Sequence, residues 1–246
     1  MCENLQHMAE LFPLGPDGIL VRFSDRLEEP ANRAALAFRA MLDEAQFEGV
    51  VETATSLTSV YLQFRPDIVS RAALGEQVQS ALAMADWMTS PLPKGRRLWH
   101  IPAAFGNEHG PGLEAAAELA GVSAEAAVAE VTVQTLRVLA LGFAPGQPYL
   151  GFLPSHWNIP RQTEVTPEVP RGAVVVAVRQ VIPFANAAPT GWRQIGRTGF
   201  RCYDAAAALP MPLNPGDEVR FHSVTGSELD RLTADPRGGA EAEALS

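Results

Sequence analysis

Six side chains in this sequence stand where they could do chemistry: Glu108, Tyr149, Arg161, Gln180, Arg197 and Thr198. Glu108 sits in the glycine-flanked loop Phe105-Gly-Asn-Glu-His-Gly-Pro-Gly112. There it could orient a substrate N–H, bind a metal or act as a general base, or instead cap the helix that begins near Leu113. Arg197, beside Thr198 in a tight Gly-Arg-Thr turn, offers a planar fork suited to a carboxylate or phosphate, or to a salt bridge within the chain. Arg161 has the same two readings. Tyr149 could stack on a planar ligand or donate a hydrogen bond, or be buried against a barrel rim. Gln180 would read an amide group or satisfy a buried strand. Trp192 reads as core.

The residues around Tyr149 are unusual in composition. Leu141-Gly-Phe-Ala-Pro-Gly-Gln-Pro-Tyr-Leu-Gly-Phe-Leu153 alternates glycine, which permits positive φ, with proline, which fixes φ. Pro145 and Gly146 carry a type II turn signal directly before the tyrosine. The segment reads as a rigid, shaped loop, either a corner between barrel strands or a binding loop. Three loops far apart in sequence thus each combine glycines with one functional side chain. We expect Glu108, Tyr149 and Arg197 to line one cleft completed by Gln180.

Other chemistries are poorly represented. The five histidines lack zinc-ligand spacing, so no metal is expected. There is no glycine-rich phosphate loop ending in lysine and Ser/Thr, and no Gly-x-Ser-x-Gly elbow. Lys94 is the only lysine, and Cys2 and Cys202 have no redox or metal spacing. A net charge of −9 and a pI near 5.1 argue against nucleic acid and against anionic membrane surfaces. With no signal-peptide pattern at the N-terminus and no apolar run of spanning length, a cytoplasmic protein is expected.

The elements that must position these residues fall into two groups. Residues 1–90 read as an α+β unit in the order β-α-β-β-α. It has a strand at Ile19, Val21 and Phe23, a helix face at Ala34, Phe38, Met41 and Leu42, and two strands at 50–55 and 59–64. Ser70 caps a second helix facing through Leu74, Val78 and Ala81. Pro91-Leu-Pro-Lys-Gly-Arg-Arg97 reads as a linker. From 98 to 224 the chain reads as β-rich, a barrel or sandwich, with helices at 113–120 and 124–130 and an apolar run from Val131 to Phe143. Ala173–Val178 has the continuous apolar character of a strand buried on both faces. The Ala/Gly/Glu-rich stretch 225–246 is expected to fray.

Several motifs in fixed order carry a family resemblance. Phe105-Gly-x-Glu-x-Gly-Pro111, Gly142-Phe-x-Pro-Gly-x-Pro-Tyr-Leu-Gly151, Pro160-Arg161, Val169-Pro-x-Gly172 and Gly191-Trp-Arg-x-Ile-Gly-Arg-Thr198 resemble those of the family of 5-oxoprolinase B-type subunits. That family is also called allophanate hydrolase subunit 1 and includes the Kip-type sensor histidine kinase inhibitor. Gly49-Val-x-Glu52 extends the likeness into the first half. The resemblance implies an α+β N-terminal domain followed by a cyclophilin-like β-barrel domain.

In function it implies a non-autonomous subunit of an ATP-dependent hydrolase that opens 5-oxoproline. ATP would be bound with or by a partner. The chain would work with the A-type and C-type subunits of such an enzyme on a small amide or carboxylate substrate. On that reading Glu108 and Arg197 are the catalytic candidates, and Tyr149, Gln180, Arg161, Thr198, Pro145 and Gly146 the substrate-binding ones. An allophanate- or urea-type carboxyl-transfer assembly and a sensor-kinase inhibitor remain alternatives. The chain departs from the pattern at Val131 and Leu136, where the family usually has His and Tyr, and at Thr166 and Gly112. It departs again across Val175–Val181, where a Gly-Gly-Gln-Thr run is reduced to Gln180.

Overall fold

The computed structural model describes residues 9–235 and 237–245, so Cys2 lies outside the described residues. The chain divides into two compact units at Pro93/Lys94. The two-part class expected from the sequence, an α+β unit ahead of a β-barrel, is the class observed. Among the described residues no helix is long and apolar enough to cross a membrane.

In the first unit, strands β1 (Glu10–Leu14), β2 (Gly18–Arg22), β3 (Val50–Ser56) and β4 (Ser59–Phe64) form one antiparallel sheet in the order β1-β2-β4-β3. Helices α1 (Glu29–Ala45) and α2 (Arg71–Leu82) supply the rest of its core. The period-two alternation of β2 and β4 sends Ile19, Val21, Val60, Leu62 and Phe64 to one side, where Phe38 and Leu42 of α1 and Leu74 and Val78 of α2 meet them. Ser70 caps α2 as its type predicts, accepting from Ala73 N at 3.2 Å. The expected order lacked β1. This strand is mostly exposed and contains Pro13, so it has no clean alternation; it exists because the turn at Gly15 folds it back along β2.

In the second unit, β5 (Arg97–Phe105) is followed by α3 (Leu113–Ala120), α4 (Ala124–Val133), β6 (Leu136–Leu141) and β7 (Pro148–Gly151). Next come β8 (Thr166–Val169), β9 (Ala173–Ala177), β10 (Gln180–Pro183), β11 (Ala188–Thr190) and β12 (Arg193–Thr198). The unit ends in β13 (Glu218–Ser223), α5 (Gly226–Leu232) and β14 (Glu241–Ala244). Seven strands close a barrel in the order β12-β9-β10-β7-β6-β13-β5, sealed by the β12–β5 pair. Trp99, Ile101, Leu136, Val138, Leu150, Val174, Val176, Val181, Ile195 and Phe221 fill its core, together with apolar residues of α3 and α4.

Three expectations are corrected here. The second helix of this unit was expected over 124–130, but α4 continues to Val133 because Ala127 and Val131, one turn apart, share its buried face. The linker was expected to reach residue 97, but Arg97 already belongs to β5 and Arg96 pairs with Glu218 at 2.8 Å. The stretch from 225 was expected to fray, but Thr225 caps α5 and β14 pairs with β5 from Arg97 to His100. The reason is geometric. β12 covers only Ala103–Phe105 of β5, leaving the start of that long strand with an open edge for β14.

One buried carboxylate anchors that start. Asp217, 1% exposed, accepts from Arg97 N at 2.9 Å, Arg97 Nη2 at 2.7 Å, Trp99 Nε1 at 3.2 Å and Asn214 N at 3.0 Å. Removing it leaves an indole and two backbone donors without partners. Asp217→Ala is therefore expected to lower stability by about 3 kcal/mol. Denaturant unfolding followed by tryptophan fluorescence measures this, and a loss under about 1 kcal/mol would contradict the assignment.

Candidate functional site

Strand β9 is buried on both faces, as its apolar run predicts. Val174 and Val176 point into the barrel, while Ala173, Val175 and Ala177 join Val169, Ile182, Phe184 and Trp192 in a second apolar cluster on its outside. The two-stranded ribbon β8–β11 contributes Val169 to this outer cluster, with Ala188 packed against it. Tyr149 packs there too, because β7 turns Leu150 inward and its neighbours outward.

The polar groups at this outer face come from four segments. The Tyr149 ring stands edge-on to Trp192, with centroids 6.5 Å apart and planes at 75°. The Arg161 guanidinium lies 5.5 Å from the centre of the Trp192 ring. Its loop is fastened by Gln162 N donating to Gly191 O at 2.6 Å and by Arg193 Nη1 donating to Pro160 O at 2.6 Å. Gln180 pairs with Gly151 in the β10–β7 register, which makes it the diagonal neighbour of Tyr149 on the same face. It is only 4% exposed, and its Nε2 has no hydrogen-bond partner among the described residues. Burial pushes the Tyr149 hydroxyl above the ordinary phenol value, while the Arg161 charge acts the other way. The hydroxyl is therefore a neutral donor at pH 7.

The other sequence candidates lie elsewhere. Arg197 is paired with outward-facing Ala173, so it shares the outer surface with Tyr149. Strands β9 and β10 stand between them, a separation on the order of 15 Å. Glu108 occupies a single 3₁₀ turn with its side chain 79% exposed and 3.7 Å from His109 Nε2. Its loop runs beside β12, through Gly106 N to Ile195 O and Gly112 N to Gln194 O. It does not cap α3, whose N-cap is Gly112 with no side-chain bond. The Thr198 hydroxyl donates to Pro102 O at 2.7 Å and accepts from Phe200 N at 3.1 Å, so its only proton is committed to the barrel.

Pro145 and Gly146 form the turn 144–147, in which Gln147 N donates to Ala144 O at 3.1 Å. Gly146 has φ +69 and lies so close to Cys202 O that no Cβ would fit. The structure thus joins Tyr149, Arg161 and Gln180 and adds Trp192, the member that sequence reasoning assigned to the core alone. Its position directly after Gly191, in the motif that also holds Arg197, was the available signal.

Chemically the cluster offers an aromatic wall, a cation, a neutral hydroxyl donor and an unpaired amide donor. Groups of these types suit a small planar amide or carboxylate, and no Ser, Cys or Lys stands among them. The Cys202 thiol, in the core inside the barrel, donates to Pro183 O, and burial pushes it up to about 12.

Comparison with known proteins agrees over most of the chain. Residues 9–213 match the family model for the carboxyltransferase domain, subdomain C and D. The B subunit of 5-oxoprolinase from Bacillus subtilis is 30% identical over 222 residues, covering 86% of this chain and 91% of that protein. The crystal structure of TTHA0988 is similar at 32% identity and a TM-score of 0.71, over 85% of this chain. This chain spans 40% of that one. The Kluyveromyces lactis urea amidolyase, at 17% identity, shares the fold with a TM-score of 0.75 over 96% of this chain and 16% of its own.

Two measurements probe the cluster directly. Because Arg161 holds the Tyr149 phenol down against burial, Arg161→Ala should move the phenolate transition to higher pH. Ultraviolet titration against a Tyr149→Phe background reads it, and an unmoved or lowered transition contradicts the pairing. Gln180→Met removes a buried donor that has no partner, so it should raise the stability of the unliganded protein by about 1 kcal/mol. A destabilisation in chemical denaturation would mean that the amide is satisfied within the fold.

Proposed function

Because the chain belongs to the family of 5-oxoprolinase B-type subunits, we propose that it is a non-autonomous subunit of an ATP-dependent amidohydrolase. The complex opens 5-oxoproline to glutamate and includes A-type and C-type partner subunits. The observation that carries this reading is the family match along residues 9–213 over a cluster equipped to bind but not to cleave. 5-Oxoproline is a small ring with a lactam and a carboxylate. In this reading Arg161 takes the carboxylate, the Gln180 amide donates to the lactam oxygen and Tyr149 donates a further hydrogen bond. Trp192 and Tyr149 shield the ring from water.

Opening a lactam requires activation of its carbonyl oxygen, which ATP supplies. The chain has one lysine and no phosphate-cradling loop, so we assign the nucleotide to a site held with or by a partner. Glu108 and Arg197 stand outside the binding cluster. In this reading they act where the partner subunits complete the catalytic centre.

The test uses the intact chain, alone and co-expressed with its A-type and C-type partners. Glutamate and ADP formation from 5-oxoproline and ATP are measured. The isolated chain is expected to be inactive and the co-purified complex active, with Arg161→Ala raising KM more than it lowers kcat. Turnover by the chain alone would overturn non-autonomy. A stable complex without turnover would overturn the substrate assignment.

A further inference from the structure

The first unit carries none of this chemistry, yet one of its faces is unfinished. Helices α1 and α2 each bury one face on the sheet, through Phe38 and Leu42 and through Leu74 and Val78. Where their outer surfaces diverge they leave a groove of about 840 Å³ lined by Met41, Phe47, Ala81 and Met84. Met84 is 79% exposed, an unusual position for a large apolar side chain. Among the described residues the charged ones lining the groove are Glu44 and Glu76, both exposed and of the same sign.

We propose that this groove docks an amphipathic helix of a different chain, with apolar residues at i, i+3/i+4 and i+7 flanked by lysine or arginine. Two flexible thioethers beside an aromatic ring form an adaptable apolar floor, the kind of surface that receives a helix. The acidic rim selects the flanks. It also argues against a second copy of this chain. A two-fold contact would set Glu44 and Glu76 against their own counterparts, between molecules that each carry a net charge of −9. This inference concerns a surface in the other unit and does not rest on the substrate reading.

The test uses the full chain and two fluorescent peptides of about 16 residues with the same leucine stripe, one flanked by lysine and one by glutamate. Anisotropy titration is expected to show binding of the lysine peptide alone. Glu44→Lys/Glu76→Lys should weaken it at least about tenfold and transfer preference to the glutamate peptide. Met84→Asp should weaken binding of the lysine peptide. Glu114→Lys/Glu118→Lys on α3 changes net charge equally and controls for general attraction to an acidic protein; it should leave the affinity within about twofold. Equal loss in this control, or no response to the groove variants, would overturn the proposal. So would dimers in sedimentation that Met84→Asp dissolves, because the occupant would then be a second copy.

Discussion

The barrel depends on where β5 begins, and Asp217 sets that point. The carboxylate holds Arg97 N, the Arg97 guanidinium and the Trp99 indole, while Asp217 O accepts from Val138 N of β6 at 2.7 Å. With the start fixed, β5 runs parallel to β13 in a single register from Leu98↔Glu218 to Ala103↔Ser223. That register puts Trp99, Ile101 and Ala103 into the core. A slip of one residue would replace them with Leu98, His100 and Pro102. It would also break the outer contact of His100 with His222 at 2.9 Å and with Glu243 of β14 at 3.2 Å.

The same alternation, carried around the barrel, creates the candidate site. A strand buried on both faces has no solvent side, so β9 needs a second apolar layer outside the barrel. The ribbon β8–β11, Trp192 and Tyr149 furnish part of that layer, and the polar groups stand at its border. Gln180 is held in place by the turn before it. Val178 and Arg179 both have positive φ, +45 and +65. For a β-branched valine this conformation costs about 1–2 kcal/mol. Contacts offset it: Val178 N donates to Ile159 O, Arg179 N to Trp157 O and Arg179 Nε to Leu153 O. Hydrogen bonding therefore holds a turn whose conformation glycine would adopt more readily.

The departures at Val131 and Leu136 have a similar logic. Both side chains are fully buried, Val131 on the inner face of α4 and Leu136 within the barrel. Apolar residues at these positions extend the core. The candidate cluster of Tyr149, Arg161 and Gln180 lies on the other side of the wall.

Local signals in the sequence determined much of this protein. Ser70 and Ser123 cap helices, Gly121 ends one in a left-handed conformation, and the apolar run of β9 is buried on both faces. Each depends on a residue and its near neighbours. Strands β1 and β14 were not legible, because their residues have weak strand character and form strands only against an open edge supplied elsewhere. The candidate site was half legible. Side-chain chemistry singled out Tyr149, Arg161 and Gln180, but the glycine loops around Glu108 and Arg197 suggested a common cleft that the register separates. Those glycines have another cause. Gly110 lies against Ile195 O, Gly146 against Cys202 O and Gly196 against Ala104 O, each with no room for a Cβ. A sequence records only that something must come close to the backbone there. Whether that is a ligand or a neighbouring strand is decided by the closed barrel.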